Sequence, residues 1–250
     1  MFLPSGRIYS YRRSGKLCRR ANKAACGEIM IETEELGVSG RKVLQDSELY
    51  RFTSDSVLLA RFASVKKGDI VADFCSGSGV VGFYLYGLHP ESVDSVTFVE
   101  MQKPLFDLSE KSIALNGLSD KFSAVNARVQ DACADFTGRF SLIVCNPPYM
   151  KRNSGEHDKS PAQALCRREI ELTLEELMRA VSVSLKYGGR AAIVHRADRL
   201  TDVICAMREN GIEPKRLQFC RAAGKEPYLF TVEGVKGGKS GVKILPSAEN

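Results

Sequence analysis

Four consecutive residues, Asn146-Pro147-Pro148-Tyr149, have the composition of a reaction centre for a planar nitrogen. Two prolines in a row fix the backbone and remove two N–H donors, which leaves rigid carbonyls. The Asn146 side chain and the Pro147 carbonyl can accept the two hydrogens of an exocyclic amine. That favours a more pyramidal nitrogen, its lone pair aimed at an electrophilic carbon. Attack then needs proximity and in-line alignment more than a strong base. Tyr149 can stack on a flat substrate, worth about 1–3 kcal/mol for a base on an aromatic ring. Taken alone the segment also reads as a proline-rich turn with a surface tyrosine.

A second cluster lies earlier. Asp73-Phe74-Cys75-Ser76-Gly77-Ser78-Gly79 sits where a strand should end and a helix begin. In an open parallel sheet, ligands bind at the carboxyl ends of the strands. Two glycines let the backbone turn sharply and approach a ligand. Glu100 ends the next expected strand and can accept hydrogen bonds from ribose hydroxyls. With Gly82 the spacing is also a G-x-G-x-x-G, which fits nicotinamide or flavin dinucleotides nearly as well. Two details favour adenosylmethionine: Asp73 before the glycines, suited to a cationic cofactor, and the Asn-Pro-Pro-Tyr segment roughly 70 residues downstream, which dinucleotide enzymes lack.

The elements needed to position these clusters are legible from residue 48 onward. Phe52-Thr53-Ser54-Asp55 offers N-cap side chains for a helix over 57–63. Strands are expected at 70–74, 93–99, 122–125, 140–145 and 191–195, with helices over 80–88, 104–116, 170–185 and 200–210. Turns fall at 66–69 and at Lys186-Tyr187-Gly188-Gly189, and two further strands at 215–220 and 228–232 close the chain. Strands alternating with helices imply an α/β fold with a doubly wound, mainly parallel seven-stranded sheet. The two successive strands at the end imply that the last one enters antiparallel.

Composition narrows the class. A hydrophobic fraction of 44% and a charged fraction of 26% suit one globular α/β domain. No apolar run approaches the roughly 20 residues that span a bilayer. The eight cysteines show neither metal-ligand spacing nor a disulfide framework. Several, Cys145 and Cys205 among them, lie in apolar runs and read as buried free thiols of a reducing cytoplasm. No metal is expected, and the chain reads as a monomer. Residues 1–27 carry seven basic residues and no acid, leaving 29 basic against 30 acidic in the remainder. Residues 1–29 therefore read as a disordered basic tail: an RNA-binding arm, a presequence or a mis-started extension. Met30 opens a stretch like an ordinary N-terminus and favours the last. Residues 30–250 then form one catalytic domain.

Together, Asp73 to Gly79, Glu100 and Asn146-Pro147-Pro148-Tyr149 resemble the class I methyltransferases that act on adenine N6, cytosine N4 or the glutamine amide nitrogen. More narrowly, residues 35–246 resemble the bacterial family that makes N6-methyladenine at position 37 of tRNA1(Val). The likeness is carried by Phe52-Thr53-Ser54-Asp55-Ser56-Val57-Leu58-Leu59-Ala60, Gly188-Gly189-Arg190 with Val194-His195-Arg196, Glu213-Pro214-Lys215-Arg216, and Glu233-Gly234-Val235-Lys236-Gly237-Gly238-Lys239. The resemblance implies S-adenosylmethionine as cofactor, held by Asp73, Cys75, Ser76, Gly77, Gly79, Glu100, Asp131, Thr53 and Asp55. It implies a tRNA substrate, with Lys151, Arg152, Lys215, Arg216, Lys236 and Lys239 as candidate phosphate contacts. An ordinary solvated surface is the competing reading of those cations. Two departures stand out. Ala127-Arg128 occupies the place of the family's Gly-Asp, with Asp131 the nearest acid, and Arg167-Arg168-Glu169 replaces Arg-His-Glu. The same chemistry on a release-factor glutamine, ribosomal RNA or DNA remains open, as does a non-catalytic RNA-binding module.

Overall fold

The computed structural model describes residues 31–46, 54–149 and 172–249. The basic tail, Thr53, Lys151, Arg152 and Arg167-Arg168-Glu169 lie outside the described residues.

Regular structure begins earlier than the sequence pattern suggests. β1 (Ile31–Glu35) and β2 (Lys42–Asp46) form an antiparallel hairpin that is a sheet of its own. Its polar, mostly exposed strand β1 gives little hydrophobic signal. Side chains hold it in place instead. The Lys42 N–H donates to Asn116 Oδ1 at 3.0 Å and the Leu44 N–H to Ser112 Oγ at 2.9 Å, so two helix residues act as a strand neighbour.

The main chain path then alternates as expected: α1 (Ser54–Phe62), β3 (Asp69–Phe74), α2 (Val80–Leu88), β4 (Val93–Glu100), α3 (Lys103–Leu115), β5 (Phe122–Asn126), a four-residue α4 (Val129–Ala132) and β6 (Phe140–Cys145). After the undescribed stretch come α5 (Leu174–Ser184), β7 (Leu185–Arg196), α6 (Leu200–Glu209), β8 (Ile212–Arg221) and β9 (Leu229–Lys236). Two-residue strands β10 (Lys243–Ile244) and β11 (Ala248–Glu249) both add to β8. Without them the sheet runs β8-β9-β7-β6-β3-β4-β5, the seven strands expected. The pairs from β7 across to β5 are parallel, and β9 inserts antiparallel between β7 and β8.

Two expectations need correction. The helix expected over 170–185 starts only at Leu174, because Thr173 forms a capping box: its Oγ accepts from the Glu176 N–H at 3.2 Å, and its own N–H donates to Glu176 at 2.8 Å. The turn Lys186-Tyr187-Gly188-Gly189 lies within β7 rather than before it. Phe140 pairs with Leu185 and Leu142 with Arg190, so these four residues bulge out, with Gly188 at φ 74°.

Each face of the sheet buries its own core. One face packs Leu59, Phe83, Phe98 and Phe122 under α1, α2 and α3; the other packs Phe74, Phe140, Met178 and Phe230 under α5 and α6. On the first face Phe83 and Phe122 stack at 5.1 Å, and Phe98 meets both edge-on at 5.1 and 5.5 Å. At the amino end of β3, Asp69 is buried and anchored by the Arg190 guanidinium, the Lys66 N–H at 2.7 Å and the Ser141 hydroxyl at 2.7 Å. Five cysteines among the described residues are free thiols; Cys145 and Cys220 are buried. Cys205 is exposed, against expectation, because α6 is amphipathic and turns Val203, Ala206 and Met207 inward instead.

Candidate active site

A cavity of about 620 Å³ opens at the carboxyl ends of β3, β4, β6 and β7, walled also by the first turn of α1 and by the Pro227-Tyr228-Leu229 segment entering β9. The two clusters singled out in the sequence line this one space. Cys75, Ser76 and Gly77 leave β3 and Asn146, Pro147, Pro148 and Tyr149 leave the adjacent β6, and all seven line it.

The glycine loop is shaped by the aromatic core beneath it. A Cβ on Gly82 would lie 2.5 Å from the Phe98 ring, and one on Gly79 2.7 Å from it. Those two glycines are required for helix-sheet packing. Gly77 differs: at φ 56° a Cβ there would meet nothing within 4 Å, since that position borders the cavity. Cys75, preceding it, also adopts φ 57°, a left-handed conformation rare for a residue with a side chain.

Glu100 organises this loop. One carboxylate oxygen accepts from the Gly77 N–H at 2.8 Å and the other from the Gln102 N–H at 2.8 Å. Burial nonetheless raises its pKa, only partly offset by those bonds. Asp73 is placed otherwise than its position before the glycines suggests. Its side chain is fully buried behind the loop and is absent from the cavity wall. Oδ2 accepts from the Gly82 N–H at 3.0 Å, and Oδ1 has no hydrogen-bond partner among the described residues. Burial above all, with repulsion from Glu100, pushes its pKa up to about 8 against the pull of the Gly82 bond. Its reach to a cofactor is through the loop, not by direct contact.

Opposite, Asn146 and Tyr149 are tied to α1. The Asn146 Nδ2 donates to Ser56 Oγ at 3.1 Å. The Tyr149 hydroxyl donates to Asn146 Oδ1 and also lies 3.3 Å from Asp55 Oδ2. The Tyr149 ring leans on His195, with centroids 5.2 Å apart. Burial lowers the pKa of His195 to about 4, aided by nearby Arg199, so its imidazole is neutral at physiological pH. Its Nδ1 accepts from the Arg196 N–H at 2.9 Å. It supports the tyrosine as a flat uncharged surface.

At the far end of the cavity, Ala127, Arg128 and Gln130 line the wall, whereas Asp131 does not. Asp131 is 69% exposed and pairs with Arg128 at 4.0 Å. Of the expected phosphate contacts, the four among the described residues, Lys215, Arg216, Lys236 and Lys239, do not line this cavity. Lys236 ends β9 at the amino end of β7, where its ammonium donates to the Ser182 and Leu185 carbonyls at 2.6 and 2.9 Å. Lys215 is tied to the Lys239 carbonyl at 2.8 Å, and Arg216 to Ser64 and Glu233. The charged groups of Lys236, Lys215 and Arg216 are thus engaged within the fold, and Lys239 contributes its carbonyl; β9 runs antiparallel and carries its basic end away from the cavity. Arg196, Tyr228 and Ser56 do border the cavity; Arg196 and Ser56 stand in segments that carry the family likeness without a role being read for them, and Tyr228 stands only as the first residue of an expected strand.

Comparison with known proteins agrees with this layout. Residues 52–201 match the family model described as the methyltransferase small domain. The chain belongs to that family. It is 27% identical over 188 residues to a tRNA1(Val) (adenine(37)-N6)-methyltransferase of Shewanella woodyi, covering 72% of this chain and 75% of the relative. A Porphyromonas gingivalis protein of the same name is 27% identical over 160 residues, 61% of each chain. Among solved structures, a predicted O-methyltransferase from Agrobacterium tumefaciens superposes with a TM-score of 0.63 at 17% identity, over 78% of this chain and 86% of that one. That likeness concerns the fold, a class I Rossmann-like methyltransferase sheet. The protein is thus an enzyme of the methyltransferase class, and the dehydrogenase reading of its glycines falls away. Among the described residues no cluster of metal-ligating side chains occurs, and no helix is long and apolar enough to cross a membrane.

Proposed function

We propose that the enzyme transfers a methyl group from S-adenosylmethionine to the exocyclic N6 of an adenine in tRNA, at adenine-37 of tRNA1(Val). The observation that carries this reading is the shared cavity of about 620 Å³, which Asn146 and the glycine loop line together from the carboxyl ends of adjacent strands. The residues present fit the cofactor. Open space over Gly77 admits a close ligand, and the Glu100 carboxylate at the wall suits vicinal hydroxyls. Asp73 behind the loop is held mostly protonated by burial, and a cation nearby would draw it back towards its charged form, which favours a cationic ligand there. When bound, the cofactor supplies an electrophilic methyl on a sulfonium.

Asn146 Oδ1 and the Pro147 carbonyl accept the amine hydrogens and orient the nitrogen, and Tyr149, backed by neutral His195, stacks on the base. The Tyr149 hydroxyl occupies one lone pair of Asn146 Oδ1 and leaves the other for the amine, with Asp55 Oδ2 a second acceptor in its reach. Cys75, Ser76, Gly77, Glu100 and Asp55 form the proposed cofactor wall, while Gly79, packed on Phe98, and Asp73 support it from behind. Arg128 and Gln130, rather than Asp131, stand at the adenine end. The names of the relatives support tRNA as the substrate and a cytoplasmic setting. An adenine in a loop is partly unstacked already, so presenting it costs less than extruding it from a duplex.

The test incubates the protein and methyl-labelled S-adenosylmethionine with unfractionated bacterial tRNA or, separately, with a purified release factor. Label recovered from tRNA as N6-methyladenosine is expected. Label in the protein substrate, or in neither, would overturn the assignment.

A further inference from the structure

We propose that Ser56 is a positioning residue that, together with the Tyr149 hydroxyl, sets which end of the Asn146 amide faces the substrate. This rests on the reading of Asn146 as the acceptor for the substrate amine. An asparagine amide has two ends of nearly equal size and opposite hydrogen-bonding character. Only one of its two orientations works: Oδ1 must face the amine, because Nδ2 would oppose N–H with N–H. Within the motif, Pro147 and Pro148 bring no N–H to hold Oδ1, and the Tyr149 hydroxyl is its donor to that oxygen.

The other contact comes from another element. Ser56, on the first turn of α1, is only 5% exposed, and its Oγ lies 3.1 Å from Asn146 Nδ2. With Nδ2 anchored there, Oδ1 points towards the Tyr149 hydroxyl and the cavity. The Tyr149 hydroxyl donates to one lone pair of Asn146 Oδ1 and leaves the other for the substrate amine. With Oδ1 so used, Nδ2 needs an acceptor, and the Ser56 hydroxyl, which can accept as well as donate, supplies it. The two contacts hold the amide from its two ends. Ser56 and Asn146 are 90 residues apart in sequence, so the contact exists only in the folded chain.

The experiment compares wild type with Ser56→Ala and Ser56→Thr, using methyl-labelled S-adenosylmethionine and unfractionated tRNA. It also records the side-chain amide NMR signals of Asn146, identified by their loss in Asn146→Asp. Ser56→Ala should lower kcat about tenfold, the worth of one neutral hydrogen bond, with cofactor Kd and thermal midpoint nearly unchanged and the Asn146 signals moved. Ser56→Thr, which keeps the hydroxyl, should stay near wild type on every measure. If the alanine protein does not fold, Ser56→Cys fills the same space with a poor acceptor and should give the same result. Wild-type kcat with unmoved signals overturns the proposal. So does a loss of kcat matched by an equal loss of cofactor affinity or of stability. If wild type labels no tRNA, or if Asn146→Ala keeps full turnover, the functional reading fails. The amide signals then still report whether Ser56 orients Asn146.

Discussion

Strand β3 carries an aspartate at each end, and the two are treated in opposite ways. Asp69, at the amino end, is buried but meets the Arg190 guanidinium, a backbone N–H and a serine hydroxyl. Asp73, at the carboxyl end, is buried with one oxygen on the Gly82 N–H and the other on nothing among the described residues. The contrast extends to the surroundings. Ser76 Oγ and His195 Nε2, both near the cavity, also lack partners. At the other end Arg190 Nε lacks one too, but the Arg190 charge is met by Asp69. A fold selected only for stability would satisfy both ends, because an unmet buried polar group costs about 1–3 kcal/mol. The amino end anchors the sheet, whereas the carboxyl end keeps polar capacity unspent where a ligand binds.

The strongest way to break this comparison is to remove the anchor. Arg190→Met should destabilise the protein by about 3–5 kcal/mol, because it leaves Asp69 buried without its counter-charge. Denaturant titration measures the loss, and turnover per folded molecule should change little. If stability held, the amino end would not be the anchor described here.

The converse is Asn146→Ala, which should lower turnover about 100-fold or more through lost alignment while leaving stability and cofactor affinity close to wild type. Single-turnover labelling together with calorimetric cofactor titration checks both halves. Lost cofactor binding would assign Asn146 to the wrong partner.

Third in size is a pH effect at Asp73. Its carboxyl ionises near 4 in the unfolded chain but near 8 in the fold. Between those values unfolding releases a proton, so stability is full below pH 4 and falls as pH rises towards 8, by on the order of 1 kcal/mol per pH unit. His195 works in the other direction. Its folded pKa of about 4 lies below the unfolded 6.5, so its contribution is full above pH 6.5 and lost as pH falls through that window. The two slopes oppose each other between pH 4 and 6.5, and between 6.5 and 8 Asp73 is no longer opposed by His195, while Glu100, also raised by burial, acts in the same sense as Asp73. Thermal melts of the ligand-free protein there should show a slope that Asp73→Asn reduces; an unchanged slope in the variant would assign it elsewhere.

The smallest effects are expected at the amino end's periphery. Thr173→Ala removes the capping box of α5 and should cost about 1 kcal/mol. Lys236→Met, which frees the Ser182 and Leu185 carbonyls at the other end of that helix, should cost less than about 1 kcal/mol. Neither should alter KM for tRNA. A large KM effect at Lys236 would return that lysine to the substrate surface.

Much of this architecture could be read directly. The helix over Val80–Leu88 and the strand over Phe140–Cys145 carry continuous local signals and appear with the bounds expected. The hairpin β1–β2 was invisible because its strands owe their order to side chains of α3 rather than to their own apolar pattern. Cys205 was misread because an apolar neighbourhood in sequence becomes two faces once it winds into a helix. The basic C-terminal residues were misplaced for a topological reason. Charge along a chain does not say which end of a sheet it reaches, and the antiparallel run of β9 carries Lys236 away from the cavity.

Local chemistry was determined by the sequence alone: the glycine loop, the acid ending the next strand and the Asn-Pro-Pro-Tyr segment, since each depends on residues adjacent in the chain. Tertiary structure decided how those groups face one another and what they touch. It put Asp73 behind the loop, set a neutral His195 under Tyr149, and brought Asp55 and Ser56 to Asn146 from α1. Hydrogen bonds and desolvation act over a few ångströms of space, and 90 residues of intervening chain had to fold before Ser56 could come that close.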